Sequence, residues 1–177
     1  MATIYTIGHS TRTLDQLVAA LQGHGIKTLV DIRSFPMSRR MPHFNRESLE
    51  QELPKHGIAY VWMKELGGRR KKLRDDSPNT ALRNESFRNY ADYMMTEEFA
   101  AGIDRLLEIA DRENTAIMCA ERVYFQCHRM LVSDYLAAHG HTVLHIDDEK
   151  RAVRPHKLMA EARLVGGKVV YDWGMLL

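Results

Sequence analysis

Cysteine, proline and long apolar runs are all scarce in this chain, which has 2 cysteines and 5 prolines in 177 residues. No apolar stretch approaches the roughly 20 residues that a membrane-spanning helix needs, so no membrane partner is expected. The first residues, MATIYTIGHS, lack a charged region followed by an apolar one, so no secretory signal is read there. The two cysteines, Cys119 and Cys127, sit among ionisable side chains. That setting favours reduced thiols in a cytoplasmic protein, and any disulfide between them would be local. Charge of one sign is also missing. A net charge of +2 does not by itself call for nucleic acid, although Arg39-Arg40 and Arg69-Arg70-Lys71-Lys72 are local basic clusters. There is no internal repeat and no low-complexity segment.

What is present suits one soluble domain over residues 1–177, with 45% hydrophobic and 27% charged residues. Thr3 to Ile7 reads as a buried strand, and Thr13 with Gln16 forms a capping box opening a helix. Leu14, Leu17, Val18 and Leu21 fall on one helical face, and TLVDI at 28–32 is a second buried strand. Asn45 opens a short helix that Pro54 curtails, and IAYVWM at 58–63 is a third strand. Residues 67–84, which include the basic run 69–74, are expected to form a mobile loop. Helices are predicted from Ser86 and from Thr96. The stretch from Thr115 to Ile146 then reads strand, polar loop, helix, strand. Pro155 is placed in the first turn of a last helix over 155–163, and Val169-Val170-Tyr171 is an edge strand or terminal arm.

Alternating strands and helices predict an α/β fold with three layers: a mostly parallel open sheet, Rossmann-like, with helices on both faces. In the common strand order 3-2-1-4-5, strands one and four meet at the switch point, where ligands bind outside the carboxyl ends of the strands. His9, Asp31, Arg33, Cys119 and Glu121 would converge there.

These residues lie in segments that together resemble the family of unknown function DUF488. The segments are Thr6-Ile7-Gly8-His9-Ser10, Asp31-Ile32-Arg33 with Pro36, Ser38 and Arg39, Leu66-Gly67-Gly68, Cys119-Ala120-Glu121, Cys127-His128-Arg129 and His145-Ile146. The likeness runs on to Gly167-Lys168-Val169-Val170-Tyr171. It implies a compact α/β fold with these polar positions clustered, and it implies no settled activity.

The chemistry of the residues gives three readings. In the first, an enzyme acts on a phosphate-bearing substrate, a nucleotide or nucleic acid. Arg33, Arg39 and Arg129 hold the anion, Ser10, Ser38, Asp31 and His128 complete the binding set, and Glu121 and His9 handle protons. In the second, Cys127 or Cys119 is the nucleophile of a thiol-dependent transferase, with a thiol made acidic by a helix amino terminus and neighbouring cations. The layout is reminiscent of rhodanese-like domains, but the loop AERVYFQ after Cys119 has no glycine and no arginine six residues on. In the third, the same crevice is a noncatalytic anion-binding or nucleic-acid-binding module. The 69–74 run could contact a nucleic-acid backbone, and Trp62, Phe44 and Tyr124 could stack on bases. No cofactor is required by the sequence. A divalent metal is the weakest reading, because a Cys-x7-Cys-His run matches no common zinc module.

Overall fold

The computed structural model describes residues 1–147, 149 and 152–172. Six strands form the main sheet: β1 (Thr3–Gly8), β2 (Thr28–Asp31), β3 (Ala59–Trp62), β4 (Thr115–Cys119), β5 (Thr142–His145) and β6 (Arg154–Pro155). Their order is β3-β2-β4-β1-β5-β6, with the first five parallel and β6 antiparallel to β5. The α/β class with a mostly parallel sheet is therefore as the alternating pattern predicted.

The expected strand order 3-2-1-4-5 is corrected. β4 lies between β1 and β2, so the first strand-helix-strand unit spans a gap that a strand beginning only at Thr115 fills. β4 is buried along its whole length (TAIMC), as a central strand covered on both faces must be.

Helix α1 (Leu14–Gly23) starts at Thr13, whose hydroxyl accepts from Gln16 N while the Gln16 side chain accepts from Thr13 N. Such reciprocal caps are worth about 1 kcal/mol. Leu17, Val18 and Leu21 pack with Ile7, Leu29, Ala116 and Met118 on one sheet face, joined by Leu49 of α2 (Arg46–Glu52). The other face presents Ile4, Val30, Ile117 and Val143 to α3 (Glu85–Tyr93), α4 (Glu97–Arg112) and α5 (Arg129–Ala138). Neighbours such as Leu29 and Val30 thus face opposite layers, as the pleat dictates. α3 begins one residue before Ser86, because Asn84 supplies the cap to Phe87 N.

The last predicted helix, over 155–163, is absent. Pro155 lies instead in β6 opposite Leu144, on the sheet edge where a missing N–H is tolerated. Arg163 belongs to β7 (Ala162–Val165), which forms a hairpin with β8 (Lys168–Tyr171). Gly166 and Gly167 make its two-residue turn with φ of +56° and +80°, the left-handed pair that such a turn demands. Val169, Val170 and Tyr171 are buried. Among the described residues no helix is long and apolar enough to cross a membrane.

Candidate active site: a thiol pair at the strand ends

With β4 central, the carboxyl ends of β2, β4 and β1 stand side by side, and their ladders continue into the loops. His9 N donates to Cys119 O (3.0 Å), Ser10 N to Ala120 O (2.9 Å) and Ile32 N to Met118 O (3.0 Å). Ser10 has φ +49°, a left-handed conformation that is uncommon for a side-chain-bearing residue. Loop 120–122 lies so close over β1 that a Cβ on Gly8 would sit 1.7 Å from the Glu121 carbonyl oxygen. A cleft of about 660 Å³ opens above these ends. Its wall includes His9, Arg33, Ser38, Arg69, Cys119, Glu121, Cys127 and His128.

Cys119 Sγ and Cys127 Sγ are 2.7 Å apart, and both cysteines are free. Cys119 ends the buried strand β4, and Cys127 lies two residues before α5, where Arg129 N donates to its sulfur (3.3 Å). Burial pushes the Cys119 thiol up. The hydrogen bond from Cys127, the Arg129 guanidinium and a backbone hydrogen bond of Glu121 outweigh it and bring the thiol down to about 7. Burial and the adjacent Cys119 hold the Cys127 thiol well above its ordinary value. The two sulfurs therefore titrate as a pair, with the environment favouring charge on Cys119 over Cys127.

Arg129 is 1% exposed. Its Nη2 donates to the carbonyls of Glu121 (2.9 Å) and Arg122 (3.0 Å), and Nη1 donates to Thr6 Oγ1 (3.0 Å). Its Nε is buried with no partner, and no carboxylate pairs with it among the described residues. Glu121, expected to handle protons, reaches Arg129 through its backbone carbonyl. Its side chain is exposed at the cleft.

Arg33 and Asp31 form a buried pair. Arg33 Nη2 meets Asp31 Oδ2 at 2.6 Å and Arg33 Nε meets Oδ1 at 2.9 Å, while Nη2 also donates to Phe44 O (2.7 Å). The Tyr60 hydroxyl, pushed up by burial and by the Asp31 charge, donates to Asp31 Oδ2 (2.5 Å). Arg33 Nη1 is left to face His9 Nε2 at 3.3 Å. His9 Nδ1–H donates to Ser10 O, so Nε2 is the acceptor. Burial, with help from the Arg33 charge, lowers the imidazole to about 4 despite the Ser10 bond. His128 Nε2–H donates to Ile32 O (2.7 Å), tying the start of α5 to the end of β2. It too is lowered to about 4, chiefly by burial.

The other expected positions are placed as follows. Ser38 borders the cleft and uses its hydroxyl to accept from Arg40 N and Met41 N. Arg39 is exposed and outside the cleft wall. Trp62 donates to Arg33 O under the Arg46 guanidinium, Phe44 is buried against the His9 ring, and Tyr124 stacks on His145 at 3.8 Å. Within the basic run, Arg70 lies over Tyr93 and donates to Gly67 O and Lys64 O, while Lys72 and Arg74 pair with Asp75 and Asp76. No three His, Cys, Asp or Glu side chains among the described residues are arranged to hold a metal ion.

Sequence reading missed Thr6, Asp134 and His156, which stand behind Arg129 in a buried network. Thr6 is a polar residue in an apolar strand and Asp134 lies on a helix, whereas His156 follows β6 in a coil and carries no local signal. No curated relative and no solved structure matches the chain. The family model described as a domain of unknown function, DUF488, matches residues 13–136, a span that contains both cysteines, Asp31, Arg33, the Gly67-Gly68 pair and Arg129. The chain belongs to the DUF488 family.

Proposed function

We propose that this protein is a thiol-dependent enzyme that reacts with a sulfur–sulfur bond held in the cleft, with Cys119 as nucleophile and Cys127 as the resolving thiol. The observation that carries this reading is the 2.7 Å contact between the two sulfurs beside the buried Arg129 cation. A Cys119 thiolate attacks one sulfur of a bound disulfide, forming a mixed disulfide and expelling the other half as a thiolate. Cys127 then loses its proton and attacks Cys119 Sγ, releasing the second half as a thiol and leaving a Cys119–Cys127 disulfide. The substrate gains two electrons, the enzyme loses two, and a dithiol reductant restores the pair. Attack by an acidified thiolate on a nearby sulfur is the first step of a thiol transferase as well. The neighbouring second thiol favours exchange, because it intercepts the covalent intermediate.

A phosphate-bearing substrate has narrower support. Of the three arginines expected to grip it, Arg33 is engaged by Asp31 and Phe44, Arg129 is buried against carbonyls, and Arg39 stands away from the cleft. Arg69 and Arg33 Nη1 leave room for an anionic substituent on the ligand, whether that ligand is turned over or only bound. Nucleic-acid binding through residues 69–74 has less support, since Lys72 and Arg74 pair with carboxylates and Arg70 is held by backbone carbonyls and Tyr93.

The test uses the aryl disulfide dithiobis-nitrobenzoate on the native protein. Wild type is expected to release two coloured thiols per chain and end two mass units lighter with no adduct. Cys127→Ser is expected to release one and keep one as a mixed disulfide, and Cys119→Ser to react slowly. Two stable adducts on wild type, or a Cys119→Ser protein that reacts as fast as wild type, would overturn the assignment.

A further inference from the structure

Behind Arg129 runs a continuous line of buried side chains that the exchange chemistry does not use. Arg129 Nη1 donates to Thr6 Oγ1 (3.0 Å), and Thr6 Oγ1 lies 2.5 Å from His145 Nδ1. His145 Nε2 lies 2.9 Å from His156 Nδ1, and His156 Nε2 lies 2.7 Å from Asp134 Oδ1. Thr6, His145 and Asp134 are 2% exposed or less, and the His156 side chain is 1% exposed.

The direction of each bond follows from the end that can only accept. The Asp134 carboxylate requires the His156 proton on Nε2, so with neutral rings His156 Nδ1 accepts from His145 Nε2–H. His145 Nδ1 must then accept the Thr6 hydroxyl proton, which leaves Thr6 Oγ1 to accept from Arg129. Every bond points from the cation toward the carboxylate. Tyr124 covers the His145 ring, Arg154 adds positive charge near it, and Tyr171 donates to Asp134 Oδ2 (2.9 Å). At the far end Cys119 and Cys127 face Arg129.

We propose that Asp134 is the remote counter-ion of the thiol site, a positioning residue that acts through His156, His145 and Thr6 on Arg129 and sets the balance between the dithiol and the disulfide. The proposal rests on the thiol reading above. In the reduced enzyme the Cys119 thiolate balances Arg129. Once Cys119 and Cys127 join, that negative charge is gone, and among the described residues the buried cation is balanced along the line to Asp134. Asp134 therefore favours the oxidised form, and its removal should favour the thiolate.

Asp134→Asn keeps the acceptor for His156 and removes the charge. Equilibrated with a small dithiol and its disulfide, this variant should shift toward the reduced dithiol on the order of tenfold, equivalent to about 30 mV for this two-electron couple. Alkylation by iodoacetamide should show its Cys119 ionising at lower pH than in wild type. Thr6→Val, which breaks the line without changing any charge, should shift the equilibrium in the same direction and covers the case in which the Asp134 variant fails to fold. Tyr171→Phe, which keeps both charge and line, should lower stability yet leave the equilibrium within about twofold of wild type. If wild type forms no Cys119–Cys127 disulfide, the thiol reading itself falls. If wild type forms it and both Asp134→Asn and Thr6→Val equal wild type, the counter-ion proposal alone is overturned.

Discussion

Gly68 packs directly on the imidazole of His128: a Cβ added at Gly68 would lie 2.4 Å from His128 Nδ1 and 2.6 Å from Cγ. The ring cannot retreat freely, since its Nε2 is bonded to Ile32 O and its edge meets Tyr90 at a centroid distance of 5.1 Å. Gly68→Ala should therefore cost about 1–3 kcal/mol, the range for overpacking a buried site. Gly167→Ala has open space for its Cβ but a φ of +80°, so it should cost about 1 kcal/mol from backbone strain alone. Urea midpoints of the two variants, compared with wild type, separate the two causes. Only Gly68→Ala should also slow alkylation of the thiols.

Three histidines make the fold acid-sensitive. His9 and His128 are lowered to about 4 and His145 to about 3, in each case first by burial. In the unfolded chain they take up protons near 6.5, so below that pH the unfolded state binds more protons than the native one. Their stabilising contribution is complete above about 6.5 and is lost as the pH falls toward 4. The slope should approach about 1.4 kcal/mol per pH unit for each histidine at most. Urea denaturation at intervals from pH 7.5 to 4.5 measures it. A flat profile would mean that these rings titrate normally.

Asp31 and Arg33 bury opposite charges within hydrogen-bond reach, so removing one partner strands the other. Asp31→Asn should destabilise by about 3–5 kcal/mol, the cost of an uncompensated buried charge. Tyr60→Phe removes one donor from the same carboxylate and should cost about 1–2 kcal/mol. A double variant less than additive would confirm that the two act on one network.

Phe35 and Met37 border the cleft and are 66% and 77% exposed. Replacing both by serine should change stability by no more than about 0.5 kcal/mol each. If a substrate rests on them, KM for disulfide exchange should rise while kcat holds. Unchanged KM would remove these two side chains from the binding surface.

Much of the fold could be read from the chain because its helices carry local signals. Thr13 with Gln16, Thr96 before Phe99, and the buried strand Thr115–Cys119 all act within a few residues of themselves. The strand order could not be read, because β4 enters between β1 and β2 through pairings such as Ile4 with Thr115 and Thr28 with Thr115, far apart in sequence, and no local pattern encodes a neighbour. Pro155 misled because a proline opening a helix and a proline on a sheet edge share the same property, a missing N–H. The cysteines, His9 and Arg33 stood out as reactive types at strand ends. Asp134 and His156 did not, since a polar residue on a helix or in a coil is ordinary until its burial is known.

The central position of β4 also fixes when the site can exist during synthesis. Among the described residues β1 pairs with β4 and β5, and both emerge after residue 114. A nascent chain of that length holds the β2–β3 pair and its helices, yet its first strand has no partner to lie against. β4 joins β1 to β2, so the strand that ends in Cys119 is the piece that brings His9 and Arg33 to one pocket.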